Sequence, residues 1–208
     1  AYAHKGVAVI TIPKDLGWTE IEDDYVSSAP LYQDPILPEP DLTRVDEALK
    51  IMNAAKHPIL YVGNGARGAK DQIIALSEKL HAPIVVTALA KGVVPDSYIG
   101  NMGSAGRVAS KPGVETARAA DAVLFLGSDF PFQPYFIAPD AKYIQVDIDS
   151  SKLGRRHHVD VAILADAKKT IQALLDRSDP LPDSAWYRAA LANHKNWWDW
   201  IASFDDDN

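Results

Sequence analysis

Ile59-Leu60-Tyr61-Val62-Gly63-Asn64-Gly65-Ala66-Arg67-Gly68 is the stretch that decides the fold. Its first four residues are apolar and end in a β-branched valine, which predicts a short buried strand. The run Gly63-x-Gly65-x-x-Gly68 follows, and a helical pattern marked by Ile73, Ile74, Leu76 and Leu80 comes next. Strand, glycine loop and helix in that order make the opening turn of a Rossmann-like unit. Two readings of the loop stand. Backbone without Cβ atoms can approach a phosphate closely, and a helix starting near Ala69 would offer it free N–H groups. Alternatively the loop is a tight strand-to-helix turn with no ligand.

Outward from this turn, strand and helix keep alternating. Strands are predicted over 83–87, 122–126, 143–148 and 161–164, with a short piece at Tyr98-Ile99 as a third strand in chain order. Asp41 caps a helix carrying Leu42, Val45, Ala48, Leu49, Met52 and Ala55 at helical spacing. A second helix runs over 114–120. Asp166 caps another with Ala167, Ile171, Leu174 and Leu175 on one face. The fold class expected is α/β: a Rossmann-like six-stranded parallel sheet with helices on both faces.

The flanks differ in composition. Residues 6–12 read as a strand stopped by Pro13. Residues 13–40 hold five prolines and no sustained period, the pattern of a linker over a surface. Its Trp18, Ile21, Tyr25, Leu31 and Tyr32 suggest that it is docked. At the other end, 186–204 form one aromatic helix. Trp186, Ala190, Trp197, Ile201 and Phe204 share a stripe, with Trp198 and Trp200 beside it. These tryptophans cannot all face one way, so some are expected to meet another domain or subunit. The tail 205–208 is expected to fray.

The chain has 208 residues, 47% hydrophobic and 24% charged, the balance of a globular domain with a real core. A net charge of -7 without basic runs gives no support for a nucleic-acid partner. Cysteine is absent, which excludes disulfides and thiolate chemistry and suits a cytoplasmic setting. No apolar run has membrane-spanning length and no signal-peptide pattern is present. The chain does not begin with Met, as expected of a segment of something longer or a processed chain.

Candidate ligand-binding residues cluster after the strands. An NAD site calls for an acid at the end of the second strand, but Thr87-Ala88-Leu89-Ala90-Lys91-Gly92 stands there. Acids occur later, at Asp147 and Asp149 around Ile148, either for the adenosine of a differently oriented nucleotide or as solvated strand-end groups. Gly127-Ser128-Asp129-Phe130-Pro131-Phe132 follows the 122–126 strand and pairs with the first glycine loop across the crevice of a doubly wound sheet. Gly103-Ser104-Ala105-Gly106-Arg107 adds a candidate phosphate or flavin contact in Arg107. His157-His158 has no carboxylate partner at metal-site spacing, so no metal is expected.

Together these motifs resemble the central domain of thiamine-diphosphate-dependent enzymes, and among them the pyruvate oxidases. The segments that carry the resemblance are 61–67, Thr87 with Ala90-Lys91-Gly92, 103–109, 120–127 with Phe130-Pro131-Phe132, and Gln145-Val146-Asp147-Ile148-Asp149 with Lys152-Leu153-Gly154 and Arg156-His157. Leu164-Ala165-Asp166-Ala167 completes it.

The resemblance implies strand order 3-2-1-4-5-6 and an extended FAD. The flavin would be held by Gly63, Asn64, Gly65, Arg67, Thr87, Ala88, Lys91, Gly103, Ser104, Arg107, Gly127, Ser128, Asp129, Phe130, Asp147, Ile148, Asp149, Asp166 and Ala167. It divides the chain into 1–40, the end of a preceding pyrimidine-binding domain with its linker; 41–180, the FAD-binding domain; and 181–208, a helix toward a pyrophosphate-binding domain. The implied parent is a homotetramer that turns pyruvate, phosphate and oxygen into acetyl phosphate, carbon dioxide and hydrogen peroxide. Thiamine diphosphate and a magnesium ion would bind outside this chain, which would be inactive alone. The same residues leave room for the central domain of an acetolactate synthase or decarboxylase, with a structural flavin or none, and for a non-catalytic assembly module. Close relatives tend to carry a neutral or basic residue where Asp129 stands. Either Asp129 turns away from the flavin ring, or it disfavours a negatively charged reduced flavin.

Overall fold

The structure, a computed structural model, describes residues 6–204 apart from 23, 25, 131, 132 and 183, and the backbone alone at 133 and 134. The chain divides into two units, residues 1–37 and 38–208.

The described part of the first unit holds two short 3-10 turns, Leu16–Trp18 and Ala29–Leu31. The strand expected over 6–12 does not form. A strand requires a hydrogen-bonded neighbour, and none of the described strands pairs with it. Val7, Val9 and Ile10 are exposed, as are Trp18, Ile21 and Leu31. Tyr25 and the tail 205–208 lie outside the described residues.

The second unit is the α/β domain. Six strands, β1 (Pro58–Val62), β2 (Ile84–Val86), β3 (Asn101–Ser104), β4 (Ala122–Leu126), β5 (Lys142–Asp147) and β6 (Val161–Leu164), form one sheet. All pairings are parallel and the order is β3-β2-β1-β4-β5-β6, as the resemblance implies. Residues alternate between the faces. Leu60, Val62, Leu124 and Leu126 face α1 (Leu42–Ala54), α2 (Lys70–Leu80) and α5 (Ala167–Arg177). Ile59, Tyr61, Val123 and Phe125 face α3 (Lys111–Ala119) and α6 (Ala185–Ala202). A side chain of this size, fully buried, contributes roughly 2 kcal/mol, so both faces are substantial. A turn of helix, α4 (Gln133–Phe136), follows β4.

The third strand is misplaced in the sequence reading. Tyr98 lies in a turn, its N–H donating to Pro95 O at 3.1 Å, and the strand starts at Asn101. Asn-Met-Gly-Ser has no β-branched residue, so the pairing with β2 rather than local preference makes it a strand. Residues 38–40 lie in the α/β unit, where Asp166 N–H donates to Pro38 O at 3.0 Å and Lys169 Nζ meets Glu39 Oε1 at 2.5 Å. Among the described residues no helix is long and apolar enough to cross a membrane.

Candidate functional site: the crevice at the strand ends

Strand order reverses between β1 and β4, and their C-terminal loops meet there. Gly63 N–H donates to Leu126 O at 2.9 Å and Gly65 N–H to Gly127 O at 3.1 Å. A Cβ on Gly63 would lie 2.2 Å from Gly127 O, and one on Gly65 2.8 Å from Gly127 Cα. Gly127 has φ +63°, a conformation that side chains disfavour. These glycines let two backbones pack together.

These contacts account for Gly63 and Gly65 as a tight strand-to-helix turn, one of the two readings the loop allows. The N–H groups of Ala66, Arg67 and Ala69 are bonded to Gly63, Asn64 and Ala66 carbonyl oxygens, so with Gly63 and Gly65 five amides are already committed. A 3-10 turn, Asn64–Ala66, also intervenes before α2. What the loop presents to the crevice is the Asn64 side chain, whose Oδ1 accepts from Arg67 Nε at 3.1 Å. Arg67 reaches on to Leu89 O at 3.1 Å and ties this loop to the one after β2.

A cavity of about 390 Å³ opens beside the junction. Asn64, Thr87, Ala88, Arg107, Gly127, Ser128, Asp129 and Phe130, all expected ligand contacts, line it together with Leu89, Ala105, Gly106 and Val108. Tyr61 fixes its floor: the hydroxyl donates to Ala105 O at 2.6 Å, and the ring packs on Phe125 and Phe130 with centroids at 5.1 and 4.7 Å. Burial pushes the Tyr61 hydroxyl pKa far above its ordinary value, so it stays a donor. Pro131 and Phe132, the end of the expected loop motif, lie outside the described residues.

A second cavity of about 450 Å³ shares Thr87, Ala88 and Val108 with the first and reaches Lys91, Gly103 and Ser104. Its far wall is α6, through His194, Trp197, Trp198 and Ile201. His194 escaped the sequence reading, although it stands four residues after Ala190 on the buried face. Its Nδ1 lies 2.7 Å from Asn101 O and Trp186 Nε1 donates to Pro58 O at 3.0 Å, so α6 is anchored on the sheet by polar bonds as well as packing. Trp198 and Trp200 remain 44% and 52% exposed, and Phe204 lies beyond the helix, also exposed, rather than in a buried stripe.

The remaining expected contacts border neither cavity. Asp147 Oδ1 accepts from Asp149 N–H at 3.0 Å, and Asp149 Oδ1 from the Ser151 hydroxyl and N–H at 2.7 and 3.0 Å. The Ser151 hydroxyl above all holds the Asp149 carboxyl below the usual carboxylate range. Asp166 Oδ1 caps α5 through Lys169 N–H at 3.0 Å, Ala167 is buried, and Ile148 is exposed. These acids hold turns and caps at the ends of β5 and β6.

Asp129 turns toward Arg155 and Arg156 in the segment after β5. Its Oδ2 pairs with Arg155 and its Oδ1 accepts from Arg156 Nε at 3.1 Å. Beneath them the buried Gln145 donates to Ser128 O and Lys152 O, each at 3.2 Å, and accepts from Gly154 N–H at 2.9 Å. In the sequence Arg156 stands in a family motif beside His157, and nothing there pairs it or Arg155 with Asp129. Their role depends on β4 and β5 being adjacent, which a glance along the chain does not reveal. His157 packs on Phe125 and Tyr143 with centroids at 5.4 and 4.8 Å, and burial pushes its imidazole pKa below the ordinary value. Among the described residues no group of three or more His, Cys, Asp or Glu side chains could hold a metal ion.

The model of the thiamine pyrophosphate enzyme central domain matches residues 45–174. The chain belongs to that family. It is 46% identical over 209 residues to a pyruvate oxidase of Lactiplantibacillus plantarum, a match covering 99% of this chain and 35% of the relative. It is 33% identical over 181 residues to an acetolactate synthase of Mycobacterium bovis, covering 84% of this chain and 29% of that one. The chain thus spans about a third of the length of these relatives. In structure it is similar to benzoylformate decarboxylase from Polynucleobacter necessarius, with a TM-score of 0.63 at 20% identity over 81% of this chain and 32% of that one. At that identity the likeness speaks for the fold alone.

Proposed function

We propose that this thiamine pyrophosphate enzyme central domain is the FAD-holding domain of a pyruvate oxidase. The observation that carries the reading is the 46% identity to a pyruvate oxidase across 99% of the chain. The crevice is compatible with it. Two cavities share Thr87, Ala88 and Val108 and are apolar at Leu89, Val108 and Phe130, with Arg107 in one and Lys91, paired with Asp96 at 2.6 Å, in the other. Such a space suits a ligand with a planar ring and a diphosphate.

On this reading Phe130, Leu89 and Val108 flank the ring, Arg107 and Lys91 serve the diphosphate, and the carboxylates of Asp147, Asp149 and Asp166 take the adenosine end. Gly127, Asn64, Ala88, Gly103, Ser104 and Ser128 complete the walls, and Gly63, Gly65 and Arg67 hold the loops from behind. FAD would take up electrons from a decarboxylation carried out on thiamine diphosphate and magnesium held by flanking pyrimidine- and pyrophosphate-binding domains. The parent is a cytoplasmic homotetramer giving acetyl phosphate, carbon dioxide and hydrogen peroxide, and this chain alone turns over nothing. Titrating FAD into the chain tests the reading. Quenching of flavin fluorescence together with a rise in melting temperature is expected, and neither signal appearing would overturn it.

The acetolactate synthase match keeps a second reading in view, in which the flavin is structural.

A further inference from the structure

Asp129 places a carboxylate on the wall of the 390 Å³ cavity, its side chain only 11% exposed. Left alone there, it would make that wall electronegative. It is not alone. Arg155 and Arg156 both engage it, one on each oxygen, and the segment bearing them is tied to the Asp129 loop by Gln145, itself 1% exposed. Arg107 lines the same cavity. The formal charges of Asp129, Arg155 and Arg156 sum to one positive charge, so the carboxylate on the cavity wall is backed by arginines that leave the group cationic overall. The Asp129 carboxylate is the enclosed member, 11% exposed, while Arg155 and Arg156 are 47% and 41% exposed and are screened in part by solvent.

We infer that the Arg155–Asp129–Arg156 clamp is a positioning and electrostatic element of the flavin site: the arginines turn an acidic wall into one that favours electron-rich flavin. The inference rests on the flavin reading and deepens it. A two-electron-reduced flavin is acidic at N1, and a nearby positive charge favours its anionic form while a nearby negative charge disfavours it. The two halves of the clamp therefore push the flavin potential in opposite directions. Asp129→Asn keeps the shape and an acceptor for the guanidiniums but removes the negative charge, and it raises the potential. Arg155→Gln and Arg156→Gln each remove a positive charge and leave Asp129 less compensated, and each lowers it. Arg156→Lys keeps the charge and leaves it near the wild-type value.

The test is the midpoint potential of FAD bound to the chain, measured by dye equilibration for the wild type and these four variants, with FAD affinity recorded alongside. Opposed shifts are expected, each about tenfold in the oxidised-to-reduced ratio, or about 30 mV for a two-electron couple. A merely structural clamp would weaken FAD binding in every variant and leave no such opposition of sign. Shifts in one direction, or none, overturn the inference while the flavin reading stands. A wild type that binds no FAD overturns both.

Discussion

Gly63 is required for a reason that the glycine spacing does not name. The glycine spacing suggests room for a phosphate, yet the atom that occupies that room is Gly127 O, 2.2 Å from where a Cβ would stand. Because backbone cannot swing aside as a flexible side chain does, Gly63→Ala is expected to cost about 1–3 kcal/mol or more. Urea unfolding should show the midpoint falling with an unchanged slope; an unchanged midpoint would mean that the loops are not held together in this way. For the same reason a bulky substitution at Gly65, 2.8 Å from Gly127 Cα, tests the fold before it tests any cofactor. Asp129 is the converse. Its chemistry was legible as a carboxylate near the crevice, but its partners were not, since they lie 26 and 27 residues further on.

At the scale of elements, what the sequence reveals follows from what makes each element form. The strand β4 matches its predicted range, and β1 and β5 nearly so, because apolar runs buried on both faces of a parallel sheet need no context to be recognised; the edge strand β6, with Leu164 exposed, matches by its apolar run alone. Strand β3 was missed because pairing makes it, and the segment 6–12 was over-read because a strand-like composition forms nothing without a neighbour. Caps are local, so Asp41 and Asp166 were found: each side chain accepts an N–H of its helix's first turn. For Asp166 the cap competes with the proposed adenosine contact, and two substitutions separate the roles. Asp166→Ala should lower stability by about 1 kcal/mol, and Asp166→Asn, an equally good cap, should leave it within a few tenths. If the carboxylate also meets the cofactor, both variants bind FAD severalfold more weakly in a fluorescence titration. Unchanged affinity in Asp166→Asn would reduce Asp166 to its capping role.

The α/β unit combines two adjoining cavities at its strand ends with no described cluster able to hold a metal, and the chain spans about a third of its pyruvate oxidase relative. This division of labour follows from the sheet. Ligand-binding loops at the strand ends arise wherever strand order reverses, so the crevice is a property of this one domain. Chemistry on pyruvate would need groups from elsewhere, and the exposed Trp198 and Trp200 on α6 leave apolar surface over which such parts could join. The two readings of the parent then differ in one observable. If the flavin accepts electrons, pyruvate added without oxygen to the full-length parent, loaded with FAD, thiamine diphosphate and magnesium, bleaches the visible flavin absorption. The same addition to the FAD-loaded 208-residue chain is expected to leave the spectrum unchanged if the proposed flanking domains supply the decarboxylating groups. Bleaching in the parent alone is the expected result. A parent that converts pyruvate while its flavin stays oxidised would instead place the chain among enzymes whose flavin is structural. The charge clamp around Asp129 would then hold a cofactor whose potential no step of the reaction uses.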